Sequence, residues 1–261
     1  MDAPDIIGIV LMGLVLGSFA TALSYRLPLD MSIVTVTRSR CPVCQHNLGI
    51  ADLVPLFSWL FLRGRCRHCQ TWIGWRYPLI ELATLFLCFI FYAVYGLRAD
   101  TLLIFSLAPV LISILDIDFH HKIIPDSLNL AVLLTGAALL SVNTLMDGNP
   151  TDFLIYKGGE AVSGALAYGL GSLLLRQVAM RVLKREPMGL GDVKFYAAVG
   201  FWLGLNANAT SLFLIISGIS GVVLALIWKR RTGEIEVPFG PSLIIAFIVT
   251  LCFYPPDFVS V

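Results

Sequence analysis

Charge is scarce in this chain: Asp, Glu, Lys and Arg together make up 13% of 261 residues, about half the ~25% of a soluble domain. The remainder is 57% hydrophobic, with a mean hydropathy of +0.84. That balance excludes an ordinary water-soluble globule and points to a polytopic membrane protein. An excess of one sign is also missing. The net charge is +1, so no nucleic-acid partner is implied. No Gly-x-Gly-x-x-Gly follows a strand, so no dinucleotide fold is expected. No internal repeat or low-complexity tract stands out. Residues 1–5 hold no basic residue, so a cleavable signal peptide is not expected. The apolar run 6–25 has about the 20 residues a spanning helix needs and reads as a retained first helix.

The apolar segments suggest an all-α membrane protein of about eight transmembrane helices. Their cores are 6–25, 78–96, 101–117, 128–146, 159–180, 193–205, 209–228 and 240–254. Lys and Arg are concentrated in alternate loops. Arg26, Arg38, Arg40, Arg63, Arg65, Arg67 and Arg76 lie between the first two helices, and Lys122 follows the third. Arg181, Lys184 and Arg185 follow the fifth, and Lys229, Arg230 and Arg231 the seventh. The opposite loops hold only Arg98 and Lys157. The positive-inside rule makes the first set cytoplasmic, with both termini outside. The expected organisation is a first helix (1–28), a cytoplasmic loop domain (29–76) and a seven-helix membrane domain (77–261).

Six cysteines divide into two groups. Cys88 and Cys252 sit alone in apolar runs and read as buried, inert thiols. Cys41-Pro42-Val43-Cys44 and Cys66-Arg67-His68-Cys69 form two Cys-x-x-Cys pairs with 21 residues between them. This is close to the pattern of a structural four-thiolate zinc site. A loop this short buries little core, so a metal staple is physically useful. Reduced free thiols or a redox pair are the alternatives; a disulfide is disfavoured on a cytosolic face. His46 and His68 read as solvated.

The remaining chemistry lies in acids at helix ends. Asp192 sits in Gly189-Leu190-Gly191-Asp192-Val193-Lys194, where a basic loop meets an apolar segment. A carboxylate near hydrocarbon is costly and is a functional-site candidate by default. The two glycines suit a turn that lets another backbone approach. Asp116, Asp118 and Asp126 fall within 11 residues at the end of the third helix. Asp126 reads as the N-cap of the fourth helix. Asp116 and Asp118, two apart, project in different directions, so at most one is expected to face Asp192. Asp118 has an alternative partner in Lys122 at i+4. His120 and His121 read as solvated or facing headgroups rather than as ligands.

Taken in order, these stretches resemble the type IV prepilin peptidases. The resemblance covers nearly the whole chain. It rests on Gly17-Ser18-Phe19 with Arg26-Leu27-Pro28, the cysteine pairs, and Pro55-Leu56-Phe57-Ser58-Trp59 between them. It continues through Arg76-Tyr77-Pro78 with Glu81, the aspartates before Ile124-Pro125-Asp126, Gly189-Leu190-Gly191-Asp192, and Pro238-Phe239-Gly240-Pro241. It departs from the family pattern at Thr21 and around Leu53-Val54.

The resemblance implies an aspartic endopeptidase of the bacterial inner membrane, cutting prepilin or pseudopilin leaders at the cytoplasmic face. The new N-terminal residue would then be methylated with S-adenosyl-L-methionine. Eight residues before Asp126 is Asp118, so the implied catalytic pair is Asp118 and Asp192, with Asp116 as competitor. Two close carboxylates share one proton, which allows one to activate water while the other donates to the scissile carbonyl. The implied cofactors are structural zinc at Cys41, Cys44, Cys66 and Cys69, and the methyl donor. The implied partners are the prepilins and the lipid bilayer. Rival readings are a peptidase without methyl transfer, an Asp-dependent transporter, and a structural subunit of a secretion machine.

Overall fold

A computed structural model describes residues 3–31, 39–98, 101–184, 186, 188–234 and 236–259. Arg38 and Arg185, used above for orientation, lie outside the described residues. Eleven α-helices are present among the described residues: α1 (Ala3–Arg26), α2 (Phe57–Phe61), α3 (Arg76–Tyr95), α4 (Leu102–Phe105), α5 (Leu107–His121), α6 (Asp126–Met146), α7 (Pro150–Phe153), α8 (Gly159–Leu183), α9 (Leu190–Leu203), α10 (Ala207–Thr232) and α11 (Gly240–Phe253). No named strand occurs among them. Two isolated bridges, Arg40–Asn47 and Arg65–Trp72, are the β-type pairings.

Each of the eight apolar segments expected from the sequence is helical. Five stretches are long and apolar enough to cross a membrane: Ala3–Leu29, Arg76–Tyr95, Leu102–His121, Asp126–Met146 and Ala207–Thr232. The expectation of eight spans is therefore carried by length and composition at five. The reasons differ for the rest. α9 and α11 have 14 residues each, about 21 Å at 1.5 Å per residue, short of a ~30 Å hydrocarbon core. α8 has 25 residues but carries Glu160, Arg176 and Arg181 among its apolar positions.

Helix boundaries follow local chemistry. Lys122 and Lys184 adopt left-handed conformations (φ 57° and 53°) that end α5 and α8. Pro125, extended at ψ 136°, precedes α6. The Asn206 side chain accepts from the amides of Asn208 and Ala209 at 3.0 and 3.1 Å, starting α10. The third expected helix is broken at Ser106 and runs on to His121. Asp118 is thus inside its last turn.

The core gathers around α5. Of the apolar window in Leu102–His121, 72% is buried inside the protein, against 11% for α10. α5 is therefore central and α10 peripheral. Polar side chains stitch the helices together, as apolar surroundings require. The Tyr95 hydroxyl donates to the Leu251 carbonyl at 2.8 Å, and Trp202 Nε1 donates to the Val132 carbonyl at 3.0 Å. Tyr168 donates to Thr210 at 2.7 Å. α8 and α9 approach until Gly164 and Gly200 touch through their backbones. A Cβ on Gly164 would collide with the Gly200 carbonyl and lie 2.7 Å from Gly204 Cα; one on Gly200 would lie 2.8 Å from Tyr168 Cβ.

Gly200→Ala is accordingly expected to cost about 1–3 kcal/mol through overpacking. Gly218→Ala, which meets nothing within 4 Å, should be neutral or slightly stabilising. Thermal unfolding of the two variants in one detergent checks this.

Candidate active site and cysteine cluster

The two cysteine pairs fold as two copies of one turn. In the first, the Cys41 amide donates to the His46 carbonyl (3.0 Å) and the Gln45 amide to the Cys41 carbonyl (2.9 Å). In the second, the Cys66 amide donates to Thr71 (2.9 Å) and the Gln70 amide to Cys66 (3.0 Å). Gln45 and Gln70, each directly after a second cysteine, both sit at φ 57°. This small repeat was missed in the sequence; its signal is the shared Cys-x-x-Cys-Gln.

The copies face each other. Sγ atoms of Cys41, Cys44, Cys66 and Cys69 all lie within 4.8 Å of one another, with Cys41 and Cys69 at 3.8 Å. Tetrahedral zinc with Zn–S of about 2.3 Å separates its sulfurs by about 3.8 Å, so the cluster could hold such an ion. His46 and His68 are both exposed, and their rings lie against each other with centroids 3.5 Å apart and planes tilted by 31°. Arg67 ties the second turn to Asp52, with Nε to Oδ1 at 2.7 Å. The Arg67 guanidinium holds the Asp52 carboxyl below the usual carboxylate range. A lowered folded value means this tie persists above the ordinary carboxylate pKa and is lost as pH falls through the lowered one. Of the other cysteines, Cys88 is buried as expected, whereas Cys252 is partly exposed.

The buried acids each have a different arrangement. Asp116 is gripped by Arg76 at the start of α3, with Nε at 3.1 and 3.0 Å and Nη2 at 2.6 Å. His120 also lies against it, Nδ1 being 2.8 Å from its carbonyl and 3.3 Å from Oδ1. His120 is therefore not simply solvated. Asp116 is committed to a structural ion pair.

Asp118, 4% exposed, accepts at Oδ2 from the Gly240 amide at 2.7 Å. It does not pair with Lys122, which reaches Glu234 instead at 2.7 Å. Gly240 must be glycine here, since a Cβ would lie 2.8 Å from Asp118 Oδ2. Asp192, 8% exposed, is the third residue of α9 and reaches back so that Oδ2 accepts from the Gly189 amide at 3.0 Å. On both acids, Oδ1 has no hydrogen bond among the described residues.

Three contacts hold the α5–α6 turn and the start of α6 against the start of α9. Ile124, in the turn after α5, lies against Gly191, where a Cβ would be 3.0 Å from the Ile124 carbonyl. The backbone that approaches the Gly-x-Gly-Asp turn is thus this chain's own. Asn129 Nδ2 donates to the Gly191 carbonyl at 3.0 Å. Lys194 pairs with Asp126 at 2.6 Å. Asp126 is therefore not an N-cap: it occupies the first turn of α6 and makes no capping bond. The turn that follows Asp118 and the turn that carries Asp192 are thus packed against each other.

Comparison with known proteins gives the family. Residues 11–95 match the bacterial peptidase A24 N-terminal domain, and residues 105–226 match the type IV leader peptidase family. The chain belongs to the type IV leader peptidase family. It is 35% identical, over 92% of this chain and 90% of the relative, to a type 4 prepilin-like proteins leader peptide-processing enzyme of Escherichia coli O78:H11 (strain H10407). It is 33% identical to a prepilin leader peptidase/N-methyltransferase of Burkholderia pseudomallei (strain 1026b), over 95% and 85% of the two chains. A protein of that same name from Aeromonas salmonicida (strain A449) is 34% identical over 93% and 89%. No solved structure matches. The carrier and structural-subunit readings are not favoured by these matches.

The protein purified without chelator should carry about one metal ion per chain, as a closed four-thiolate site requires. Cys41→Ser and Cys69→Ser should each lower that content, while Cys88→Ser should not. Elemental analysis by mass spectrometry reads the result.

Proposed function

We propose that this chain is a prepilin leader peptidase and N-methyltransferase of the bacterial inner membrane, with Asp118 and Asp192 as its catalytic pair. One observation carries the reading. Two buried carboxylates from distant helices each have Oδ2 held by a backbone amide and Oδ1 without a hydrogen bond among the described residues, and the turn after Asp118 packs on the turn that carries Asp192.

A backbone N–H can only donate, so each Oδ2 is held as an acceptor. The shared proton then belongs on the uncommitted oxygens. One carboxylate takes a proton from water as the water oxygen attacks the scissile carbonyl carbon. The other donates its proton to the carbonyl oxygen. The tetrahedral intermediate collapses by breaking its C–N bond, and the leaving amine takes up a proton. No covalent adduct with the enzyme forms. The two acids titrate as a unit, and the base role belongs to the pair.

The basic loops support a cytoplasmic position for this end of the bundle. A prepilin, with a basic leader in the cytosol and an apolar helix in the bilayer, would present its cleavage point there. Zinc at Cys41, Cys44, Cys66 and Cys69 would staple the loop between α1 and α3. Four thiolates leave no open position, so it takes no part in cleavage. S-adenosyl-L-methionine, when bound, supplies the methyl group for the new N-terminal amine. The division at 1–28, 29–76 and 77–261 fits these roles: anchor, stapled loop and proteolytic bundle.

Asp118→Asn and Asp192→Asn are each expected to lower leader cleavage by about 10²–10⁴-fold or more, with insertion and metal content retained. Full processing of a prepilin by either variant would remove the assignment. Gly240→Ala should lower kcat by about 100-fold, since a displacement near 1 Å at a reacting group has that effect; single-turnover cleavage measures it.

A further inference from the structure

The short helix α2 has an unpartnered apolar face. Phe57, Leu60 and Phe61, at i, i+3 and i+4, lie on one side of it and are 49%, 66% and 81% exposed. Its other side turns into the protein, where the Trp59 indole donates to the Ile73 carbonyl at 2.9 Å. Trp59 packs against Trp75 and Trp72, with ring centroids 4.3 and 5.8 Å apart. Trp72 and Trp75 are exposed, and neither indole N–H donates a hydrogen bond among the described residues. An aromatic ledge thus continues the apolar face.

The depth of this ledge is set by α3. The amide of Leu56, directly before α2, is held by Glu81 at 2.7 Å. Glu81 is five residues beyond Arg76, the first residue of α3, which is about 7–8 Å along the helix at 1.5 Å per residue. Exposed Leu79 and Leu82 bracket Glu81, on a helix long and apolar enough to cross a membrane. The start of α2 is therefore level with outward apolar side chains of a spanning helix. Trp75 directly precedes that same helix, at the aqueous edge of a bilayer where tryptophan is enriched.

Two arginines flank the face. Arg63 lies two residues after α2. Arg65 is bridged to Trp72 in antiparallel fashion, and residues so opposed project to the same side. Both arginines are exposed, and neither makes an ion pair among the described residues.

We propose that α2, Trp72 and Trp75 form an interfacial anchor that docks the cysteine loop on the bilayer surface, with Arg63 and Arg65 taking the phosphates of anionic phospholipids. An apolar face suits the acyl boundary, free indole N–H groups suit the headgroup layer, and guanidinium groups suit phosphate. The loop then lies against the membrane instead of projecting into water. The anchor is independent of the reaction assigned to Asp118 and Asp192.

Hydrogen–deuterium exchange of the full chain tests the docking, in nanodiscs of phosphatidylcholine alone or of an equal mixture with phosphatidylglycerol. Amides 57–65 should exchange more slowly in the anionic discs. Arg63→Gln and Arg65→Gln should each reduce that gain by about fivefold, the effect of one arginine near an anionic surface. Phe61→Asp should speed exchange in both discs. If the aspartate disturbs the loop itself, a lowered unfolding temperature will show it, and the arginine variants decide. Equal exchange of 57–65 in the two discs, with no effect of either arginine, would overturn the proposal. Protection that appears only on adding a prepilin would give the face to the substrate. Protection that grows with the number of chains per disc would give it to a second copy. Either result would also overturn the anchor.

Discussion

A carboxylate in an apolar bundle must find donors, and this single requirement explains most of the structure around the site. Burying an unpaired charge costs several kcal/mol, so each buried acid has its own solution. Asp116 is matched by a full guanidinium. Asp118 and Asp192 are matched only by one backbone amide each. The first solution neutralises the acid and removes it from chemistry. The second holds an acid in place while leaving its reactivity open. Aspartates two residues apart thus sit in different surroundings, Asp116 in an ion pair and Asp118 on a backbone amide.

The amides that do this come from helix starts, where N–H groups lack intrahelical partners. Gly189 caps α9, and Gly240 opens α11. Positive partial charge at a helix N-terminus favours an anion there. α11, otherwise a short apolar helix, therefore matters to the site through its first residue rather than its length. Ile124 against Gly191 and Lys194 on Asp126 then fix the start of α6 and the turn before it against α9.

Much of this was legible in the sequence. Composition and apolar runs gave the all-helical membrane fold, because spanning a bilayer constrains length and hydropathy together. The cysteine spacing pointed to a cluster because tetrahedral ligation constrains the loop between paired thiols. Motif order drew attention to Asp118 and Asp192, and both are buried acids held by backbone amides. What was not legible depended on contacts between distant segments. Nothing local announces that Arg76 reaches Asp116, 40 residues on, or that Gly240 reaches Asp118 across 122. Asp126 misled because a proline before an acid before an apolar run fits a helix cap, whereas Lys194 offered a stronger, charged partner. The count of eight spans rested on apolar runs, and α9 and α11 are too short to carry it by length. The Cys-x-x-Cys-Gln repeat was visible but is only five residues long.

Leu56 adopts φ 61°, a conformation uncommon for a non-glycine residue, and its amide is clasped by Glu81 on α3. Five residues earlier on the same helix, Arg76 is locked to α5 through Asp116. α3 is thus fastened at two points, once to the loop and once to the bundle. A slip of one residue along its axis, or a quarter-rotation about it, would undo both fastenings together. The helix behaves as a keyed axle, fixing the orientation of the loop that carries the cysteine cluster relative to the membrane interior.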